Sequence, residues 1–160
     1  MRFLKWLLSV SLVASVQAAD PVLDPEAINP VWAEQYLRDQ YPAVLEDSDK
    51  DHVISVYYFG RVGSRNLLGL ERVRGDNYEQ FFTLLIFEGQ QLMGYYPHVL
   101  SFPSLLQTNG DVQFPLGVEA YGENSGEPLR LTAKLPEFEN LFQGLGELKS
   151  CSPWRIPARN

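Results

Sequence analysis

The chain reads as an α+β protein built on an antiparallel sheet. Three observations predict this: an Asn29-Pro30 pair opening a helical apolar stripe, a run from residue 53 to 96 rich in β-branched and aromatic residues, and a second apolar stripe after Pro136. The expected order is an N-terminal helix, an antiparallel meander of about five to seven strands and a short C-terminal helix, with helices on one face of the sheet. A small β-barrel with a helical lid is the alternative arrangement.

The first residues read as a secretory leader. Arg2 and Lys5 precede an apolar run from Trp6 to Val16, and the small residues Val16 and Ala18 stand at the positions a signal peptidase selects, before Ala19. That run has 11 residues, too few to cross a hydrocarbon core that needs roughly 20. The expected divisions are a cleaved segment 1–18, a single globular domain 19–148 and a loosely held tail 149–160, in a periplasmic or secreted protein. The chain carries 13 basic and 20 acidic residues, a net charge of −7. Loss of Arg2 and Lys5 leaves 11 basic residues and a net charge of −9. Bulk attraction to nucleic acid is therefore not expected, and no integral membrane segment is expected after cleavage. The single cysteine, Cys151, excludes a disulfide within the chain and leaves an intermolecular one as the alternative.

Asn29 at the cap and Pro30 in the first turn start a helix at 30–41, with Trp32, Tyr36 and Leu37 on one stripe and Pro42 as its stop. Residues 46–51 are a charged loop. The first strand begins near Val53 and returns through residues 66–73. A three-residue loop at 62–64 would set Arg61 opposite Arg65, Phe59 opposite Leu67, Tyr57 opposite Gly69 and Val53 opposite Val73. Tyr58 would face Leu68, and Val56 would face Leu70. In this register the Tyr57 ring covers the gap at Gly69. Arg74-Gly75-Asp76-Asn77 is a turn, and its Arg-Gly-Asp tripeptide is read as turn chemistry. The strand 78–87 is apolar throughout and suits the centre of the sheet. Glu88-Gly89-Gln90 turns into a strand at 91–96 that Pro97 ends. Asn109-Gly110 is a turn before a short strand at 112–114, and residues 118–121 can pair weakly. Leu129, Leu131 and Ala133 alternate with polar residues as a half-buried strand. Phe138, Leu141, Phe142 and Leu145 are spaced as a helix.

No metal, cofactor or catalytic motif is legible. The two histidines, His52 and His98, lack ligand spacing, and no glycine loop leads into a helix. Two clusters stand out as binding candidates. Arg61, Arg65, Arg72 and Arg74 fall within one hairpin of an acidic chain, either relieved by Glu71, Asp76 and Glu79 or available to an anionic ligand. Tyr57, Tyr58, Tyr95 and Tyr96 form two adjacent pairs, and strand geometry sends one of each pair to each face. An open face would show tyrosine hydroxyls over an apolar floor, suited to a protein partner, a sugar or an amphiphile. The leading expectation is thus an exported non-enzymatic protein binding a protein partner or an amphiphilic ligand on a tyrosine-rich face. The alternatives are a small hydrolase using Cys151 with His98 or a carboxylate pair, and a structural component of the cell envelope.

Overall fold

The structure, a computed structural model, describes residues 24–45, 53–122, 126–132, 135–142, 144 and 147–157. The expected leader 1–18 and the charged loop 46–51 lie outside the described residues. Two helices, α1 (Pro30–Gln40) and α2 (Pro42–Leu45), precede ten strand segments. These are β1 (Val53–Val62), β2 (Arg65–Arg74), β3 (Glu79–Glu88), β4 (Gln91–Val99), β5 (Leu105–Leu106), β6 (Val112–Gln113), β7 (Val118–Gly122), β8 (Phe138–Phe142), β9 (Glu147–Cys151) and β10 (Trp154–Arg155). They form a five-stranded sheet in the order β1-β2-β3-β4-β10, a two-stranded sheet β5-β6 and a three-stranded sheet β7-β8-β9. All pairings are antiparallel. The large sheet runs from edge β1 to edge β10 without closing, which replaces the barrel alternative with an open sheet.

The start of α1 follows from local chemistry. Asn29 is extended, at φ −70° and ψ 125°, and its side-chain oxygen accepts from the backbone N–H of Val31 at 2.8 Å and Trp32 at 3.4 Å. Glu34 and Arg38, one turn apart, form an ion pair at 2.6 Å. Ala33 and Leu37 turn inward and are buried. The helix ends before Pro42 because a residue preceding proline avoids helical backbone, and Tyr41 departs to φ −140°.

The first hairpin keeps most of the expected register and corrects its turn. Val53 faces Val73, Val56 faces Leu70, Tyr57 faces Gly69 and Tyr58 faces Leu68. A bulge at Phe59 then shifts the pairing, so Gly60 faces Leu67, Arg61 faces Asn66 and Val62 faces Arg65. The loop is the two-residue Gly63-Ser64, and Arg61 and Arg65 are not opposed. Glycine makes this arrangement cheap. Gly60 at φ 136° and Gly63 at φ 59° occupy backbone regions that other residues adopt at a cost.

The expected central strand is central. Five consecutive residues of β3, Thr83–Phe87, are buried because both faces of the sheet are covered. On one face Leu68, Leu70, Leu85, Phe87 and Leu92 pack beneath Ile28, Ala33, Leu37, Val44 and Leu45 of the helical layer. On the other, Leu67, Leu84, Ile86 and Tyr96 pack against Val112, Leu129, Leu131, Leu135, Phe138 and Cys151 from the C-terminal half. The molecule is thus layered: helices, large sheet, then small sheets. β4 also outruns its expected end. It passes through Pro97 to Val99, with Pro97 and His98 together opposite Thr83. A bulge absorbs a residue that has no N–H to give.

Three further expectations are corrected in the C-terminal half. Residues 138–142 are strand β8, not a helix, held between β7 and β9. Only seven residues separate Pro136 from Gly144, too short a run for helix propagation to outweigh two full strand ladders. The half-buried strand expected from Leu129 keeps its alternation, with Leu129 and Leu131 buried, but it is an extended link between two sheets. The Leu129 N–H donates to Ala120 at 3.1 Å, while its carbonyl accepts from Val112 at 2.8 Å. Residues 149–157, expected within a loose tail, contribute the end of β9 and all of β10. Trp154 and Arg155 pair with Tyr95 and Gly94, and the Arg155 guanidinium donates to the Leu135 carbonyl at 2.8 Å.

Candidate functional site

The four tyrosines do not share a surface. Tyr57 and Tyr96 lie on the face covered by the small sheets, Tyr58 and Tyr95 on the helical face. Tyr96 is buried and donates its hydroxyl proton to the Pro136 carbonyl at 2.7 Å. Burial drives its pKa well upward. Tyr95 is half-buried and stacked on Trp154 at 6.1 Å, and burial raises its pKa too. Tyr57, the most exposed of the four at 42%, donates to Glu71 at 2.8 Å, a bond that raises its pKa. Tyr58 donates to the Asn66 side-chain oxygen at 3.2 Å, and its pKa is raised chiefly by burial. All four hydroxyls therefore keep their protons at neutral pH.

Two of the arginines, Arg61 and Arg65, meet carboxylates other than those expected. Arg61 binds Asp24 through Nε and Glu26 at 2.9 Å, both from the segment leading into α1. Arg65 stands 3.8 Å from Glu88 on β3. Arg72 lies over the Phe81 ring at 5.8 Å. Arg74 ends β2 opposite Glu79. Glu71 serves Tyr57 and Gln80 instead. Cys151 is 2% exposed in the core, 3.9 Å from the Pro97 carbonyl, which removes it from the contact with solvent that a nucleophile or an intermolecular disulfide requires. His98 lies in the bulge of β4. Among the described residues, no three His, Cys, Asp or Glu side chains stand together as a metal site. No helix among them is long and apolar enough to cross a membrane.

None of the eight candidates lines a cleft that the strand pattern does not reveal, but Tyr58 and Arg61 contact Asn66 and Glu26, which do. This cleft has a volume of about 480 Å³ and lies between the start of α1 and the turns of the two long hairpins. One wall is Pro25–Asn29 with Trp32; the other is Gly63, Ser64, Gly89 and Gln90, with Asn66 between them. Each wall has a local cause. Arg61 ties Asp24 and Glu26 to the end of β1, holding the lead-in segment beside the hairpin. The Gly89 N–H donates to the Ser64 carbonyl at 2.9 Å, locking the two turns side by side. Trp32 stacks on Tyr36 at 5.0 Å and meets Phe87 edge-on at 6.2 Å.

Asn66 is the unusual member. It is 1% exposed, on the strand face it shares with the buried Leu68 and Leu70. Its side-chain oxygen accepts from the Tyr58 hydroxyl at 3.2 Å, and the residue lines the cleft. The sequence pattern marks Trp32 as part of a helix stripe and the two glycine segments as turns, and singles out none of them, nor Asn66, as a site residue. The available signal was a polar residue in register with Leu68 and Leu70 on one face of its strand. Comparison with protein-family models, with curated proteins and with solved structures finds no match.

Proposed function

We infer that this chain is an exported, non-enzymatic binding protein that holds a small amphiphilic ligand in the cleft between α1 and the two hairpin turns. The cleft carries this reading. It combines a half-buried indole with a buried amide, the mix of apolar wall and few polar groups typical of small-molecule sites, and its volume falls within their range of roughly 300–1,000 Å³. Tyr58 and Arg61 act behind it, the first on Asn66 and the second on the lead-in wall. Export rests on the basic, apolar and small-residue pattern of residues 1–18.

The mature chain offers a direct test, because Trp32 and Trp154 are its two indoles once residues 1–18 are removed. The variant Trp154→Phe leaves Trp32 as the sole reporter. Titration with octyl glucoside below its micellar concentration is expected to shift Trp32 emission in a saturable way. Unchanged emission across the titration overturns the reading. Fractionation of cells expressing the full chain tests export: the expected product begins at Ala19 outside the cytoplasm.

A further inference from the structure

We propose that the cleft recognises an uncharged saccharide ring, read by Asn66 and seated against Trp32. This rests on the cleft being the binding site and names the chemistry of its ligand.

Charge is the first argument. Among the described residues, no basic side chain lines the cleft, while Glu26 does. The nearby guanidinium of Arg61 is already held by Asp24 and Glu26. The start of α1 is not open to an anion either, since Asn29 takes the N–H groups of Val31 and Trp32. An anionic ligand would meet a carboxylate and no cation. A neutral ligand meets no such penalty.

The second argument is the hydrogen bonding of Asn66. With its oxygen accepting from Tyr58, the amide presents a donor to the cleft. Rotated by half a turn, it would give its nitrogen to the Tyr58 oxygen and present an acceptor. A ligand hydroxyl both donates and accepts, so it satisfies Asn66 in either orientation. A ketone or ether oxygen satisfies only one. Gln90, at the exposed turn, adds a second amide on the same side. The third argument is shape. A sugar ring has a C–H face and a rim of hydroxyls, which matches an indole wall facing polar turn residues. The backbone groups of the Gly63-Ser64 and Gly89-Gln90 turns are approachable because no side chain rises from either glycine; a Cβ there would meet nothing within 4 Å.

The test separates head from chain, using the Trp154→Phe protein. Methyl glucoside, methyl galactoside and methyl N-acetylglucosaminide supply the ring without an alkyl tail; hexaethylene glycol monooctyl ether supplies the tail without a ring. At least one glycoside is expected to shift Trp32 emission saturably, and inorganic phosphate is expected to leave it unchanged. Asn66→Ala is expected to weaken the glycoside tenfold or more and to leave any response to the ether within twofold. Gln90→Phe, an exposed change that fills the cleft mouth, is expected to abolish the glycoside response and keeps the test valid if Asn66→Ala does not fold. A response to the ether alone overturns the saccharide inference and leaves the binding site standing. No response to any of the compounds, octyl glucoside included, overturns both. A glycoside response that survives both substitutions overturns the assignment to this cleft.

Discussion

Gly69 shows how tightly the large sheet is closed by its neighbours. A Cβ at this position would lie 2.5 Å from Phe102 Cε1 and 2.5 Å from Phe59 Cε2. The rings covering the glycine are thus Phe59 and Phe102; Tyr57, directly opposite Gly69, leans on Phe102 at 5.3 Å. Gly69→Ala is expected to destabilise the fold by about 1–3 kcal/mol, the usual range for overpacking a filled core, as a lower urea midpoint with unchanged slope. Charge at the residue scale predicts a pH effect. Arg61 bonded to Asp24 holds that carboxyl below its ordinary value of 3.8. A carboxyl whose folded pKa is lowered contributes stability that is complete above its unfolded value and disappears as pH falls through the folded one. Asp24→Asn is therefore expected to reduce stability near neutrality and to flatten the decline below about pH 4, measured as urea midpoints at a series of pH values. An unchanged acid limb would show that the pair is screened by solvent. Asp111, lowered mainly by its bond to Arg130, contributes to the same limb.

At the scale of elements, β10 is the piece whose attachment depends most on one residue. Its two residues pair with Tyr95 and Gly94, and the Ile156 N–H adds a bond to the Met93 carbonyl at 3.0 Å. A Cβ on Gly94 would lie 2.5 Å from Leu135 Cδ1 and 2.6 Å from the Trp154 carbonyl oxygen. The leucine can rotate, but the backbone oxygen can move only with its strand. Gly94→Ala is expected to detach β10 and leave β1–β4 paired. Amide exchange measures this: protection is lost at Ile156 and retained at Leu85 and Phe87. Uniform loss of protection would show instead that β10 is integral to the cooperative core. β10 is also fixed by side chains. Stacking of Trp154 on Tyr95 and the bond from Arg155 to Leu135 join it to two layers at once.

On the scale of the whole molecule, the large sheet is buried on both faces, and that decides the chemistry left to its side chains. Cys151 comes from β9, yet it packs with Leu84, Ile86, Tyr96 and Phe138 beneath the far side of the sheet. Its thiol is expected to resist alkylation in the native state, with a rate that follows the unfolding equilibrium as urea is added. Rapid labelling in native buffer would contradict the packing of the small sheets. The two covered faces also explain the distribution of tyrosine hydroxyls. Buried Tyr96 donates to the Pro136 carbonyl and half-buried Tyr58 to the Asn66 amide, while Tyr57, at the exposed side, donates to Glu71. One opening among the described residues lies at the hairpin ends, where the helical layer meets two turns.

Local pattern was enough for the elements with local causes. Asn29-Pro30 and Pro42 bound α1, the β-branched and aromatic run supplies β1–β4, and the glycine turns join them. The even spacing of side chains also determined which tyrosines part company. Tertiary structure alone decided the rest. Phe138–Phe142 has helical spacing but becomes a strand because β7 and β9 arrive from distant positions to complete its ladder. Pro97 interrupts a local pattern, but a bulge opposite Thr83 lets β4 continue. Arg61 looks like part of an arginine cluster until the fold brings Asp24 and Glu26 to it. The cleft belongs to the same class: Trp32, Asn66 and Gln90 are far apart along the chain and carry no shared motif. Short-range sterics and hydrogen bonding are written into neighbouring residues. A site assembled across layers depends on which surfaces are buried against each other, and only the completed packing sets that.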